Sequence, residues 1–181
     1  MSLPVNVSIV SCPDYSPERL DAAVAAAIAP LGGLDWVKAG MTVAIKTNLV
    51  SRMSPDSAAV THPEAVAALV RMLTARGARV IVGDSPGGPW TAAWVHSVYH
   101  GAGMDAVVRA GGELNDDFGT AEVRFPEGRT AKSFSYTSWL QKADAIIDFA
   151  KLKTHGMSGM TCAVKNFFGT IPGTRKPEMH Y

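Results

Sequence analysis

At 181 residues, with 47% apolar and 18% charged positions, the chain is long enough for one buried core, or a core with a small lobe, and too apolar to be disordered. No apolar run approaches the roughly 18–20 residues of a membrane span, and the N-terminus lacks the features of a signal peptide, so a cytoplasmic protein with no membrane partner is expected. The net charge of +1 conceals an asymmetry: residues 1–150 carry 12 Lys/Arg against 15 Asp/Glu, and residues 151–181 carry five against Glu178 alone.

In chain order, Val5 to Ser11 reads as a first strand. Ser16-Pro17 opens a helix, with Ser16 as N-cap and Pro17 at the first helical position. Met41 to Lys46 is a second strand. Thr61-His-Pro-Glu64 has capping-box spacing, and Val66, Leu69, Val70 and Leu73 come after it at helical intervals. Gly77 ends that helix and Arg79-Val-Ile-Val-Gly83 is the buried strand after it, giving a parallel crossover. Thr91 to Ala110 is expected as one helix stopped by Gly111-Gly112. Phe118–Phe125 and Lys132–Tyr136 read as short strands about the Glu127-Gly128 turn, an antiparallel insertion within residues 113–140. Ala143 to Phe149 is a further strand. The chain beyond Phe149 is glycine-rich and loop-like, turning helical near Cys162 to Phe168. Strands alternating with helices predict an α/β fold: a mostly parallel sheet with flanking helices.

In open α/β sheets ligands bind beyond the carboxyl ends of the strands. Three predicted strands end there in polar residues: Lys46-Thr-Asn48, Asp84-Ser-Pro-Gly-Gly88 and Lys151-Leu-Lys-Thr-His155. Lys151 and Lys153 fall on one side of an extended segment, and two ammonium groups held together favour an anion between them. Thr154, Thr161, Lys165 and Asn166 add donors, and Gly156 and Gly159 allow close approach of the backbone. The expected partner is therefore a small anionic ligand, a carboxylate or a phosphate. The basic residues have no stacking aromatics interleaved, so nucleic acid is not expected.

Asp84 and His155 are the candidates for moving a proton, with Lys153 holding charge beside them. Two preceding lysines disfavour the protonated form of His155. Lys46, Asn48 and Ser85 would line the same edge, as would Thr61 and His62 at the start of the best helix. His96 and His100 share a helix face but lack the acidic partner of a metalloprotease motif, and no metal site is expected. Trp90 and Trp94 read as packing residues. Cys12 and Cys162 are too few for a disulfide scaffold or an iron–sulfur cluster within this chain, and are expected as reduced, partly buried thiols.

Lys46-Thr-Asn48-Leu, Thr61-His-Pro-Glu64, Gly83-Asp-Ser-Pro86, Lys151-Leu-Lys-Thr-His155 and Ala163-Val-Lys-Asn-Phe-Phe-Gly169 resemble, in order, the successive motifs of the DUF362 family. The resemblance spans roughly residues 41–170 and implies an α/β domain, often accompanied by a ferredoxin-like module with two cysteine-rich cluster motifs. It also implies a distant architectural likeness to nickel-pincer lactate racemases, whose histidine-rich motifs are not matched here. Residues 1–181 are expected as one such domain, with three alternatives open: a short member, a fragment cut at its C-terminus, or a chain that works beside a separate electron carrier. Two functions stand as alternatives. One is an enzyme or binding domain for a small anion; the other is a redox-associated module docking a ferredoxin-type iron–sulfur partner. Cofactor identity and homo-oligomerisation are left open by the residues.

Overall fold

The computed structural model describes residues 7–179. Helix α1 (Pro17–Ile28) begins as expected, with Pro17 in its first turn and Ser16 before it. Ser16 is itself held by the Asp14 carboxylate, which accepts from its backbone N–H and its hydroxyl. Strand β1 (Thr42–Lys46) leads through a loop to α2 (Pro63–Thr74), and Gly77, at φ +79, turns the chain into β2 (Arg79–Gly83). Two short helices come next, α3 (Ala92–Gly101) and α4 (Asp105–Arg109), and then β3 (Glu113–Leu114). Strands β4 (Thr120–Arg124) and β5 (Ser133–Thr137) form the predicted antiparallel insertion. Strand β6 (Ala145–Asp148) returns to the main sheet. A small hairpin of β7 (Lys153–His155) and β8 (Gly159–Thr161) then precedes the one-turn helix α5 (Ala163–Asn166).

The main sheet has the order β3-β2-β1-β6, with all three pairings parallel. The chain is thus α/β. β1 is flanked by β2 and β6, which pair Lys46 with Gly83 on one side and with Asp148 on the other. The ends of these three strands are therefore brought side by side. Alternation divides the apolar residues between two faces. Val43, Ile45, Val80 and Val82 join Val66, Leu69, Val70 and Leu73 of α2, with Val95, Val98 and Tyr99 of α3, in the larger core. Ala44 and Ile81 point the other way, onto Trp139 and Leu140 of a 3₁₀ turn over Ser138–Lys142. Trp139 lies against Gly83 so closely that a Cβ there would meet the indole at 3.0 Å. β2 is covered on both faces, which accounts for its unbroken Val-Ile-Val run.

Four expectations are corrected. Residues 7–11 form no strand, and Val7 and Ile9 are exposed; the rest of the expected Val5–Ser11 strand lies outside the described residues. The helix expected over Thr91–Ala110 is broken after Gly101, because the chain turns through Gly103 at φ +70. α2 starts one residue later than capping-box spacing implies: His62 is the N-cap and Pro63 opens the helix, while the Thr61 hydroxyl is used elsewhere. Cys12 and Cys162 are both exposed, not partly buried. Among the described residues no helix is long and apolar enough to cross a membrane.

Candidate functional site

β1 ends on a lysine that the fold takes out of water. Lys46 is 1% exposed, and its Nζ lies 2.6 Å from Oδ1 of Asp84. The same ammonium donates to the Thr47 carbonyl at 2.5 Å and to Oδ1 of Asn166 at 3.2 Å. An ammonium has three N–H donors, so these three partners use all of them. Asp84 is engaged through both oxygens, since its Oδ2 accepts the Leu49 N–H at 2.7 Å. Asn166 closes the knot: its amide donates to the Lys46 carbonyl and to Asp148, linking α5 to β1 and β6. Burial pushes the Asp148 carboxyl above the usual carboxylate range, opposed by that amide and by Lys46.

Over this knot lies a pocket of about 220 Å³ at the carboxyl edge of the sheet. Eight of the thirteen residues expected at the site line it: Asn48, Asp84, Ser85, Lys153, His155, Thr161, Lys165 and Asn166. Lys46 sits behind the wall. Thr61 does structural work, donating to the Phe149 carbonyl and accepting the Asn48 N–H, so it ties the β1 and β6 ends together. His62 stacks on Tyr15 at 3.6 Å between ring centroids and does not reach the pocket. Lys151 contributes its carbonyl, which accepts from the Thr161 hydroxyl, and Thr154 is exposed on the hairpin.

Lys176 and Gly169 are among the lining residues that fall outside the set expected from the sequence. Lys176 lines the pocket from the chain's last turns, its ammonium donating to the Ser85 carbonyl. Gly169 closes the floor, where a Cβ would meet both Asp84 Oδ1 and Lys46 Nζ at 2.6 Å, so only glycine leaves the ion pair intact. Gly169 stood within a motif and carried a signal; Lys176 carried none beyond its charge. Val50, also in the wall, is held at φ +54, a strained conformation for a β-branched residue.

The electrostatics of the pocket are one-sided. Lys153 donates to the Ala59 carbonyl at 2.6 Å, and the Lys165 ammonium lies 4.5 Å from the Phe168 ring centroid. Among the described residues neither of these lysines, nor Lys176, has a carboxylate within ion-pair distance. Burial lowers all three below the ordinary lysine range. Lys176 is brought to about 8, with Lys46 and Lys165 adding repulsion and Asp84 opposing it. Beside them, Ser85 Oγ and Asn48 Oδ1 are buried without a hydrogen-bond partner among the described residues. A buried polar atom left unpaired carries a desolvation cost, and in a pocket it marks a place for a ligand or water. His155 Nδ1 accepts the N–H groups of Met157 and Ser158, so the proton of the neutral ring is carried on Nε2.

His96 and His100 pair on the surface with Asp116 and Asp105 respectively. Among the described residues no three His, Cys, Asp or Glu side chains group as a metal site requires. An iron–sulfur cluster takes about four thiolates, and this chain's two exposed cysteines do not fit one.

Fold and site together define an α/β protein with a parallel sheet and a cationic pocket at the sheet's carboxyl edge. The chain belongs to the family described as "Domain of unknown function (DUF362)", whose model matches residues 43–181. It is similar to the thylakoid-associated protein sll1697 of Synechocystis sp. (strain ATCC 27184 / PCC 6803 / Kazusa), at 31% identity over a 182-residue alignment covering 97% of this chain. The chain spans about half of that relative's length, 53%. No solved structure shows significant similarity to it.

Proposed function

We propose that the protein binds a small anionic ligand, a carboxylate or phosphate, in the pocket beyond the ends of β1, β2 and β6. One observation carries this reading. Among the described residues Lys153, Lys165 and Lys176 line a pocket of about 220 Å³ with no carboxylate in ion-pair contact, while the nearby acid, Asp84, is paired with Lys46. Like charges held together in a partly desolvated site are costly, and a bound oxyanion relieves that cost. The Ser85 hydroxyl, buried in the pocket wall, is placed to donate a hydrogen bond to that oxyanion. For any proton exchanged with such a ligand, His155 is the suitable carrier, because both Asp84 oxygens are engaged.

The test is thermal denaturation of the protein with increasing inorganic phosphate or acetate at constant ionic strength. A bound anion raises the melting temperature along a saturating curve. Lys153→Met should weaken that binding by about tenfold or more, as expected on losing a hydrogen bond to a charged group. Stabilisation that is non-saturating, or unchanged in the variant, sinks the assignment.

A further inference from the structure

The cationic pocket does not end at Lys165 and Phe168. Those two residues also form part of the wall of a second, larger chamber of about 800 Å³. Its remaining lining is almost wholly apolar, including Met160, Val164, Phe167 and Ile171. Several of these face solvent: Val164 is 91% exposed, Met160 59% and Phe167 46%. Phe134 and Phe167 extend the groove into a further cleft of about 340 Å³ beside Ile146. Scattered exposed apolar side chains need no explanation, but a continuous apolar groove does.

Two properties of the pair of chambers narrow what fits them. The cationic pocket is smaller than the roughly 300–1,000 Å³ of sites that enclose a whole drug-sized molecule, so it suits a head group. The groove next to it supplies apolar surface and almost no polar partner, which suits a hydrocarbon chain. Lys165 stands between them with its stem among apolar residues and its ammonium over Phe168, as a long cationic side chain does at an apolar–polar boundary.

We infer that the ligand is an amphiphilic anion, its charged head held between Lys153, Lys165 and Lys176 and its alkyl tail laid along the groove of Met160, Val164 and Phe167. This rests on the anion-pocket reading and adds the tail to it.

The experiment is calorimetric titration of the 181-residue protein with inorganic phosphate, butyl phosphate and octyl phosphate, each below its micellar concentration. Octyl glucoside serves as a neutral amphiphile with the same chain. Burial of each carbon should tighten binding by about two- to fourfold, so with all eight carbons buried octyl phosphate should bind at least roughly 250-fold more tightly than phosphate. The double variant Met160→Ser/Val164→Ser changes only exposed side chains, so the fold is kept. It should flatten the chain-length dependence and leave the affinity for inorganic phosphate unchanged. Octyl glucoside should bind at least roughly tenfold more weakly than octyl phosphate, for want of the charged head group.

Phosphate binding with no chain-length dependence removes the amphiphile and leaves the anion pocket standing. Absence of binding by any of the phosphates removes both. Equal binding of octyl glucoside overturns the inference in a different way, by showing that the groove takes apolar matter without reference to the lysines.

Discussion

The ammonium of Lys46 and the carboxylate of Asp84 lie 2.6 Å apart, with the two residues only 1% and 3% exposed. This pair joins the ends of β1 and β2 and sets the wall on which the pocket is built. Lys46 has no donor left for a ligand, because it also serves Thr47 and Asn166, and each Asp84 oxygen is already engaged, one by Lys46 and the other by the Leu49 N–H. Removing one partner leaves the other charge buried and unmatched. Lys46→Met and Asp84→Asn should therefore each cost about 3–5 kcal/mol, measured by urea denaturation. The double variant should cost clearly less than the sum of the two. Additive losses would show that the two side chains do not act as a pair.

Gly169 and Gly156 make a matched comparison. A Cβ at Gly169 would fall 2.6 Å from both charged atoms of the pair, whereas one at Gly156 meets nothing within 4 Å. Gly169→Ala should destabilise by about 1–3 kcal/mol, the usual scale for overpacking, and should impair phosphate binding. Gly156→Ala should be nearly silent in both assays. Equal effects would mean that close approach to the ion pair is not what requires glycine at position 169.

Lys176 gives the site a pH signature. Its pKa in the folded protein is about 8, below the ordinary value of 10.5. Below pH 8 both folded and unfolded chains hold the proton, and the folded state bears the full cost of a desolvated charge. Between about pH 8 and 10.5 the unfolded chain binds more protons, so this residue's contribution to stability rises with pH. Without ligand, Lys176→Met should be more stable than the parent at about pH 7, by a margin that narrows toward pH 10.5. Anion binding runs the other way, and phosphate-induced stabilisation should fall as pH rises through 8. Melting curves at about pH 7 and about pH 9.5, with and without phosphate, check both signs.

Val50 tests whether strain is kept in the pocket wall. Its φ of +54 suits glycine rather than a β-branched side chain, and its carbonyl accepts the Gly87 N–H at 2.7 Å. Val50→Gly should raise stability by about 1 kcal/mol, since strained residues of this kind cost about 1–3 kcal/mol and glycine returns part of that as backbone entropy. A fall in stability would show that packing of the valine outweighs its backbone strain.

Elements whose burial repeats locally could be read from the amino-acid order alone. The helical spacing of Val66, Leu69, Val70 and Leu73, and the Val-Ile-Val run of β2, specify α2, β2 and the crossover between them. The polar residues after β1, β2 and β6 then specify the sheet edge at which most of the expected site residues meet. Short-range conformation was harder to read. Gly103 breaks what its apolar pattern presents as one long helix, and the β7–β8 hairpin arises in a segment with no alternation to announce it.

Which lysine faces the pocket was settled by the folded path of the chain. Lys46 and Lys176 carry the same charge, yet the first is consumed by partners up to 120 residues away and the second reaches the pocket across a separation of 91 residues. Periodicity records how an element buries its own face. It holds no information about which distant carboxylate neutralises a given ammonium, because that depends on which strand ends the sheet sets side by side. Here the sheet spends Asp84 on Lys46 and leaves Lys153, Lys165 and Lys176 without a carboxylate among the described residues.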